Sequence, residues 1–255
     1  MKGRSVEILL NRIKEYEKQY MHDYGFEKVM VWARQKYVES LVRKLQPATV
    51  MEIGCGFNQL FTHVVDVSSI KKWTIVEPAD FFSAAAREKL KDDKRVEVIQ
   101  GFVESVVTDT NFSNVDLCIC AGLLHEVEHP DQILQAAKKS LSENGVLHIS
   151  VPNAKSFHRM LAVEMGLIPS PYQFSDRNVT LSQYHVFDAA SLHSLVDKVG
   201  LDSVDAGGYF IKPFTHSQME KVIDDVGEEV LEGLWHMGAK SPELASEIFV
   251  NAKRR

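Results

Sequence analysis

Two glycines and two acidic residues form the pattern in this sequence that is best suited to chemistry. Gly54 and Gly56 follow a short apolar run that contains Glu52, and Glu77 ends a second apolar run. A strand that enters a tight glycine turn lets the backbone approach a nucleotide-like ligand. A carboxylate at the end of a neighbouring strand can accept hydrogen bonds from ribose hydroxyls. The spacing therefore predicts a ribose-binding site.

The residues after the glycine pair narrow the kind of nucleoside. A dinucleotide fingerprint needs a third glycine, and Gln59 stands at that position. The glutamine weakens the case for a nicotinamide-dependent oxidoreductase, which stays open as an alternative function. The sequence has no Gly-x-x-x-x-Gly-Lys-Ser/Thr segment, so a phosphate-binding P-loop is unsupported.

Length and composition limit the class of protein. The chain has 255 residues, 45% of them hydrophobic, and a formal net charge of -6. These values predict one α/β domain with additions, or at most two small domains. The acidic balance disfavours a nucleic-acid partner. The absence of an 18-residue apolar run and of a visible signal peptide predicts no membrane span and a cytoplasmic location.

Strand-like and helix-like segments alternate through the middle of the chain. The predicted strands span 49–53, 73–76, 96–99, 115–121 and 145–151. The predicted helices between them span 59–67, 80–91, 103–107 and 130–141. Continuous apolar strands are typical of a parallel sheet with helices on both faces. The sequence therefore predicts a doubly wound α/β core over residues 48–152.

The segments on either side of this core have different patterns. Residues 1–47 are predicted to form a helical cap, and residues 153–188 an insertion with a helix at 155–166. Residues 189–255 are predicted to complete the sheet with an antiparallel edge. This last part carries a helix at 189–199, strands at 203–214 and 245–252, and a helical excursion at 217–237. We expect Gly207 and Gly208 to kink the first of those strands.

Four motifs in order carry a resemblance to a known family. They are Glu52-Ile53-Gly54-Cys55-Gly56, Glu77, the run Ile-Cys-Ala-Gly-Leu-Leu-His-Glu-Val at 119–127, and the segment 141–153. Over residues 49–152 the chain resembles class I S-adenosylmethionine-dependent methyltransferases. It is most similar to the small-molecule group that includes ubiquinone-type, sugar and natural-product O-methyltransferases. The resemblance implies a Rossmann-like fold in which residues 153–188 form a substrate lid.

The resemblance also implies a set of cofactor-binding residues for S-adenosylmethionine and its product S-adenosylhomocysteine. Glu52 would fix the glycine turn or the cofactor's amino group, and Glu77 would bind the ribose hydroxyls. The other implied contacts are Gly54, Gly56, Phe102, Val103, Ala121, Gly122 and Leu123. Asn58 stands where the family often has glycine, and Glu104 is the nearest acidic residue after the third strand.

Histidines are the candidates for catalysis. His125 follows the fourth strand and is a candidate general base, because histidine titrates near neutral pH. The alternative is that His125 positions its loop. His185 lies in the implied lid and is either a second base candidate or a structural residue.

Candidate substrate contacts come from the cap and the insertion. They are Tyr20, Tyr24 and His158, each of which could instead anchor or solvate a helix. No cluster of His, Cys, Asp and Glu has the spacing of metal ligands, so we expect no metal. The helical excursion has enough apolar residues for a packed face or a homodimer contact.

These observations predict transfer of a methyl group to an oxygen, or as a second choice a nitrogen, of a small metabolite. A sugar, a natural-product intermediate and a quinone precursor are the acceptor types considered. The oxidoreductase is one alternative function. The other is a non-catalytic protein that binds S-adenosylmethionine or assists assembly.

Overall fold

A seven-stranded sheet forms the centre of the protein. The computed structural model describes residues 25–107, 112–181 and 183–255. The strands are β1 (Thr49–Ile53), β2 (Lys72–Glu77), β3 (Val96–Gln100), β4 (Val115–Ala121), β5 (Leu141–Pro152), β6 (Leu201–Tyr209) and β7 (Glu247–Arg254). Their order across the sheet is β3-β2-β1-β4-β5-β7-β6. Strands β1 to β5 pair in parallel, and β7 pairs antiparallel with both β5 and β6. The predicted fold class is confirmed.

Helices precede the sheet, connect its strands and extend its last part. They are α1 (Glu27–Leu45), α2 (Asp80–Leu90), α3 (Val103–Val106), α4 (Pro130–Ser140), α5 (Phe157–Glu164), α6 (Asp176–Thr180), α7 (Ala189–Lys198), α8 (His216–Val226) and α9 (Glu229–Lys240). No helix among the described residues combines the length and apolar character needed to cross a membrane. The predicted domain boundaries at 47, 152 and 188 stay predictions.

The sheet order creates a crevice at one edge. The chain moves outward from β1 to β3 in one direction and then continues from β4 in the other. In open α/β sheets, ligands bind beyond the carboxyl ends of the strands where the order reverses. This places the candidate site next to the ends of β1 and β4. Both strands are almost fully buried, so they hold this edge rigidly.

Two sequence predictions about local structure were wrong. Residues 59–67 do not form an α-helix; a short 3-10 turn, Leu60–His63, stands there. Gln59 is in extended backbone conformation at φ -62° and ψ 123°, and Phe61 is buried against Trp73 with ring centroids 5.4 Å apart. Tertiary packing therefore replaces the helical hydrogen bonds that the sequence pattern suggested.

The second error concerns the two glycines of β6. Gly207 and Gly208 continue the ladder with β7, and the register shift lies between Ser203 and Asp205. A Cβ at Gly208 would lie 2.5 Å from the Cβ of Ala245, and one at Gly207 would lie 2.9 Å from the Phe249 ring. The glycines therefore provide close approach rather than a kink.

Helix α9 docks on α1 through two tryptophans and a lysine. The Nζ of Lys36 lies 5.1 Å from the ring centroid of Trp32 and 4.6 Å from that of Trp235, and it also pairs with Glu232. Trp235 Nε1 donates a hydrogen bond to the main-chain oxygen of Ala33 at 3.1 Å. These contacts hold α9 against α1.

The inserted segment is held by an ion pair and side-chain hydrogen bonds. Tyr172 donates from its hydroxyl to Asp188 Oδ2 at 2.7 Å, and Lys155 Nζ lies 2.9 Å from the same oxygen. Arg159 Nε donates to the main-chain oxygen of Pro171 at 2.8 Å. The chain between α5 and α6 is therefore tied back to both ends of the insertion.

Candidate active site

A cavity of about 510 Å³ lies at the carboxyl ends of β1, β2 and β4. Its walls are the turn after β1, the end of β2, the start of α3, the loop after β4 and one face of α1. The volume is within the range of small-molecule sites. The nine predicted cofactor residues all line it: Glu52, Gly54, Gly56, Glu77, Phe102, Val103, Ala121, Gly122 and Leu123.

The glycine turn requires left-handed backbone. Gly54 has φ 73° and Gly56 has φ 51°, and the N–H of Gly54 donates to the main-chain oxygen of Val76 at 2.9 Å. Residues with a side chain are strained at such angles. A Cβ at Gly56 would meet nothing within 4 Å, so backbone conformation explains that glycine. Its open side faces space that a ligand can fill.

Glu77 holds the turn from the neighbouring strand. Its Oε2 accepts from the N–H of Cys55 at 2.9 Å and of Gly56 at 3.2 Å, and its Oε1 accepts from the N–H of Ala79 at 2.9 Å. Burial raises the pKa of this carboxyl, while the three backbone hydrogen bonds oppose that change. A carboxylate has about four lone-pair positions, so about one remains for a ligand hydroxyl.

Two further polar side chains lie behind the turn. Glu52 accepts from the N–H of Leu60 at 3.0 Å and from Trp73 Nε1 at 2.9 Å. Gln59 Nε2 donates to the main-chain oxygens of Gly56 and Phe57, each at 3.2 Å. Gln59 therefore closes the loop at the position where a dinucleotide fingerprint has its third glycine. In the structure Glu52 contacts the loop and the neighbouring strand.

The titration of Glu52 leads to a prediction for stability. Burial raises the pKa of this carboxyl from 4.5 to about 7. Its stabilising contribution is therefore complete below pH 4.5 and is lost as pH rises through 7. Relative to Glu52→Gln, the wild-type free energy of unfolding should fall by about 3 kcal/mol between pH 4.5 and 8. Urea unfolding of both proteins across this range measures the difference. Parallel curves would contradict a raised pKa.

The opposite wall of the cavity comes from the ends of β3 and β4. Phe102 is the residue before α3, and Val103 is 3% exposed. Gly122 has φ 70°, and its N–H donates to the main-chain oxygen of Ser150 at 2.9 Å. This left-handed turn directs the loop after β4 across the cavity.

Helix α1 contributes two polar residues that the sequence did not suggest as site residues. Val31, Arg34 and Gln35 share one helical face and line the cavity. Gln35 is 8% exposed, and its Nε2 has no hydrogen-bond partner among the described residues. An unsatisfied buried donor beside a cavity favours a ligand that carries an acceptor. The helical spacing of 31, 34 and 35 was the available signal, but it could not show which face meets the site.

The two histidines predicted for catalysis are not among the cavity-lining residues. His125 is 7% exposed, and its Nε2 lies 3.5 Å from Glu126 Oε1. The main-chain oxygen of His125 accepts from the N–H groups of Tyr184 and His185. His185 Nε2 lies 3.3 Å from the main-chain oxygen of Glu128. Both histidines thus connect the loop after β4 to the end of the insertion.

The residues predicted to bind substrate are also placed apart from the cavity or not described. His158 Nδ1 lies 3.2 Å from Ser156 Oγ, and burial lowers the pKa of its ring. Tyr20 and Tyr24 fall outside the described residues. The cavity is instead lined on this side by polar residues of the loop after β4, the start of α4 and the end of the insertion: Glu126, Glu128, His129, Gln132 and Tyr184. No group of three or more potential metal ligands occurs within the described ranges.

Sequence comparison finds a matching family model and a similar relative. A family model described as a methyltransferase domain matches residues 51–147. Ubiquinone biosynthesis O-methyltransferase from Actinobacillus pleuropneumoniae serotype 7 (strain AP76) is 26% identical over 188 residues, covering 71% of this chain and 77% of that protein. Residues 51–147 include the turn after β1, the end of β2 and the loop after β4, which all line the cavity.

Solved structures give the same fold at lower identity. A methyltransferase from Thermotoga maritima, described as a possible histamine N-methyltransferase, is 17% identical with a TM-score of 0.60, covering 96% of this chain and 100% of that one. Mitomycin 7-O-methyltransferase is 16% identical with a TM-score of 0.57, covering 88% of this chain and 53% of that one. These likenesses show that the chain shares the fold of these methyltransferases, and the domain match over residues 51–147 supports a class I S-adenosylmethionine-dependent methyltransferase.

Proposed function

We propose that this methyltransferase acts on a hydroxyl oxygen of a small metabolite. The observation that carries the proposal is the continuity of the cavity from Glu77 past Gly122 to Glu126 and Tyr184. A ribose-binding end and an acceptor end therefore belong to one space. The relative from Actinobacillus pleuropneumoniae is also named as an O-methyltransferase.

The residues around the cavity suit S-adenosylmethionine. Glu77 has about one acceptor position left for a ribose hydroxyl, and Phe102 with Val103 offers apolar surface for an adenine. Arg34 and Gln35 supply donors on the other side of the glycine turn. We propose that these two side chains bind the carboxylate of the methionine group. A carboxylate would also satisfy the unpaired Nε2 of Gln35.

S-Adenosylmethionine, when bound, supplies a methyl group that is already activated by its sulfonium. The protein must hold the acceptor oxygen close to that methyl group, exclude water and remove the acceptor's proton. Leu123, Leu181 and Tyr184 line the cavity and can shield the acceptor from water. The proton must go to a group that faces the same space.

We propose Glu126 as the proton acceptor and His125 as the residue that positions it. Glu126 lines the cavity, whereas His125 lies buried behind it with Nε2 3.5 Å from the carboxylate. Gln183 Nε2 lies 3.5 Å from the same carboxylate oxygen, so two elements hold the side chain. A carboxylate is a weak base, which favours an acceptor with an acidic hydroxyl, such as a phenol.

Replacing Glu126 by glutamine should lower kcat by about 100-fold or more, because proton removal is lost. The affinity for S-adenosylhomocysteine should not change, because Glu126 does not contact the ribose end. Steady-state kinetics measures kcat, and calorimetry measures the affinity. Glu143→Gln, which changes an exposed glutamate, is the control. His125→Asn should give a smaller loss of kcat. If Glu126→Gln keeps wild-type kcat, the assignment of the base is wrong.

The acceptor class can be tested with labelled methyl groups. A panel containing a phenol, a sugar alcohol and a primary amine should show transfer to the phenol. If the amine is methylated in preference to the phenol, the acceptor atom is nitrogen and the proposed oxygen is wrong.

The alternative functions give different results. Binding of a nicotinamide cofactor instead of S-adenosylhomocysteine would support the oxidoreductase alternative. Binding without transfer to any acceptor would favour a non-catalytic role. A homodimer and a cytoplasmic location stay predictions from the sequence.

A further inference from the structure

We propose that Glu247 of β7 is a positioning residue for cofactor binding, because it fixes the direction of the Arg34 guanidinium at the cavity wall. The inference rests on the proposed function, in which Arg34 binds the methionine carboxylate. Glu247 itself is not among the cavity-lining residues. It would act only through Arg34.

The contact between the two residues is a two-point ion pair between a buried carboxylate and a partly buried guanidinium. Arg34 Nε donates to Glu247 Oε2 at 3.1 Å, and Arg34 Nη2 donates to Glu247 Oε1. The side chain of Glu247 is 2% exposed and that of Arg34 is 16% exposed. The two points fix both the position and the plane of the guanidinium, which a single contact would not do.

Two neutral donors hold the carboxylate in turn. Tyr209 donates from its hydroxyl to Glu247 Oε2 at 2.8 Å, and Ser150 Oγ donates to the same oxygen at 3.4 Å. Burial, and after it the charge of Glu247, raises the pKa of Tyr209, so its hydroxyl stays a donor. The anchor of Arg34 thus includes side chains from β5, β6 and β7.

The other side of the guanidinium rests on Gly122. A Cβ at Gly122 would lie 2.7 Å from Arg34 Cζ, so the arginine occupies the space that a side chain would need. Gly122 also lines the cavity at the end of β4. The guanidinium is therefore confined between a carboxylate and the backbone, next to the proposed methionine group.

This arrangement leaves donors available for a ligand. A guanidinium has about five N–H donors, and the pair with Glu247 uses two of them. Burial lowers the pKa of Arg34, but Glu247 together with the weaker effects of Tyr209 and Glu27 raises the pKa above its usual value, so the group stays charged. Lysine could not replace it, because an ammonium lacks the planar fork that binds Glu247 on one edge and a second anion on another.

The test compares two ligands that differ in the amino acid group. S-Adenosylhomocysteine carries the carboxylate, whereas 5′-methylthioadenosine shares the adenosine and the thioether but lacks the amino acid. Calorimetry should show that Glu247→Gln lowers the affinity for S-adenosylhomocysteine about tenfold. This is the loss expected for one charge-assisted hydrogen bond. Binding of 5′-methylthioadenosine should change by less than about twofold. Arg34→Ala should show the same selectivity with a larger loss.

Two further variants keep the test decisive. Glu243→Gln changes an exposed glutamate four residues earlier and should bind both ligands as the wild type does. Tyr209→Phe removes one hydrogen bond to Glu247 and keeps the ring. It should lower the affinity for S-adenosylhomocysteine only, and it provides the test if Glu247→Gln does not fold. Equal weakening of both ligands, or of neither, would overturn the inference. A wild-type protein that binds no S-adenosylhomocysteine would overturn the proposed function itself.

Discussion

Glu77→Ala is expected to weaken the binding of S-adenosylhomocysteine by about 100-fold or more. The carboxylate has two tasks, which the substitution removes together. It offers an acceptor to the ribose, and it accepts from three backbone N–H groups that shape the glycine turn. Without it, those N–H groups lose their partner and the turn loses its fixed position. Isothermal titration calorimetry of purified protein measures the change.

The control for this prediction lies on the next strand. Glu97 of β3 is half-exposed and pairs with Lys72 at the surface, so Glu97→Ala removes a similar charge without touching the turn. We expect its affinity for the ligand to equal that of the wild type. Glu77→Gln keeps one acceptor oxygen and should give an intermediate loss. Wild-type affinity in Glu77→Ala would show that the ribose binds elsewhere.

The largest effect on stability is expected at Gly238 in α9. A Cβ there would lie 2.1 Å from the main-chain nitrogen of Phe210 and 2.5 Å from the main-chain carbon of Tyr209. Backbone atoms cannot change rotamer as a flexible side chain can, so α9 and the end of β6 must move apart. Gly238→Ala should lower the free energy of unfolding by about 3 kcal/mol. Chemical denaturation measures this value.

The same helix contains a matched control. A Cβ at Gly233 would meet nothing within 4 Å. Gly233→Ala should therefore raise stability by about 0.5–1 kcal/mol, because alanine favours helix more than glycine does. If the two substitutions change the free energy of unfolding in opposite directions, the effect of packing is distinguished from that of helix propensity. Two stabilising substitutions would mean that α9 does not dock against β6 as described.

The glycine turn and Glu77 could be predicted because their relation is local. Both stand at the ends of parallel strands that are neighbours in the sheet, and parallel strands place their carboxyl ends at one edge. The strand pattern therefore fixes the distance between the two motifs. The family resemblance added Ala121, Gly122 and Leu123, and in the structure these residues lie at the end of β4, beside β1.

Arg34 and Glu247 could not be found in this way. They lie 213 residues apart in the chain, and their contact depends on how α1 packs against β7. The histidines illustrate a different limit. His125 comes after a left-handed residue, Gly122, and the turn beyond that glycine decides whether the ring of His125 faces the cavity. A sequence pattern indicates that a strand ends there, but it does not fix the direction of each side chain in the loop.

The position of β7 between β5 and β6 also affects how the protein is made. During synthesis β6 emerges before β7, yet in the sheet it pairs only with β7. Strand β6 must therefore wait without a partner while the helices α8 and α9 and then β7 are translated. Amino-terminal parts fold first on the ribosome, so β1 to β5 can already be assembled at that stage.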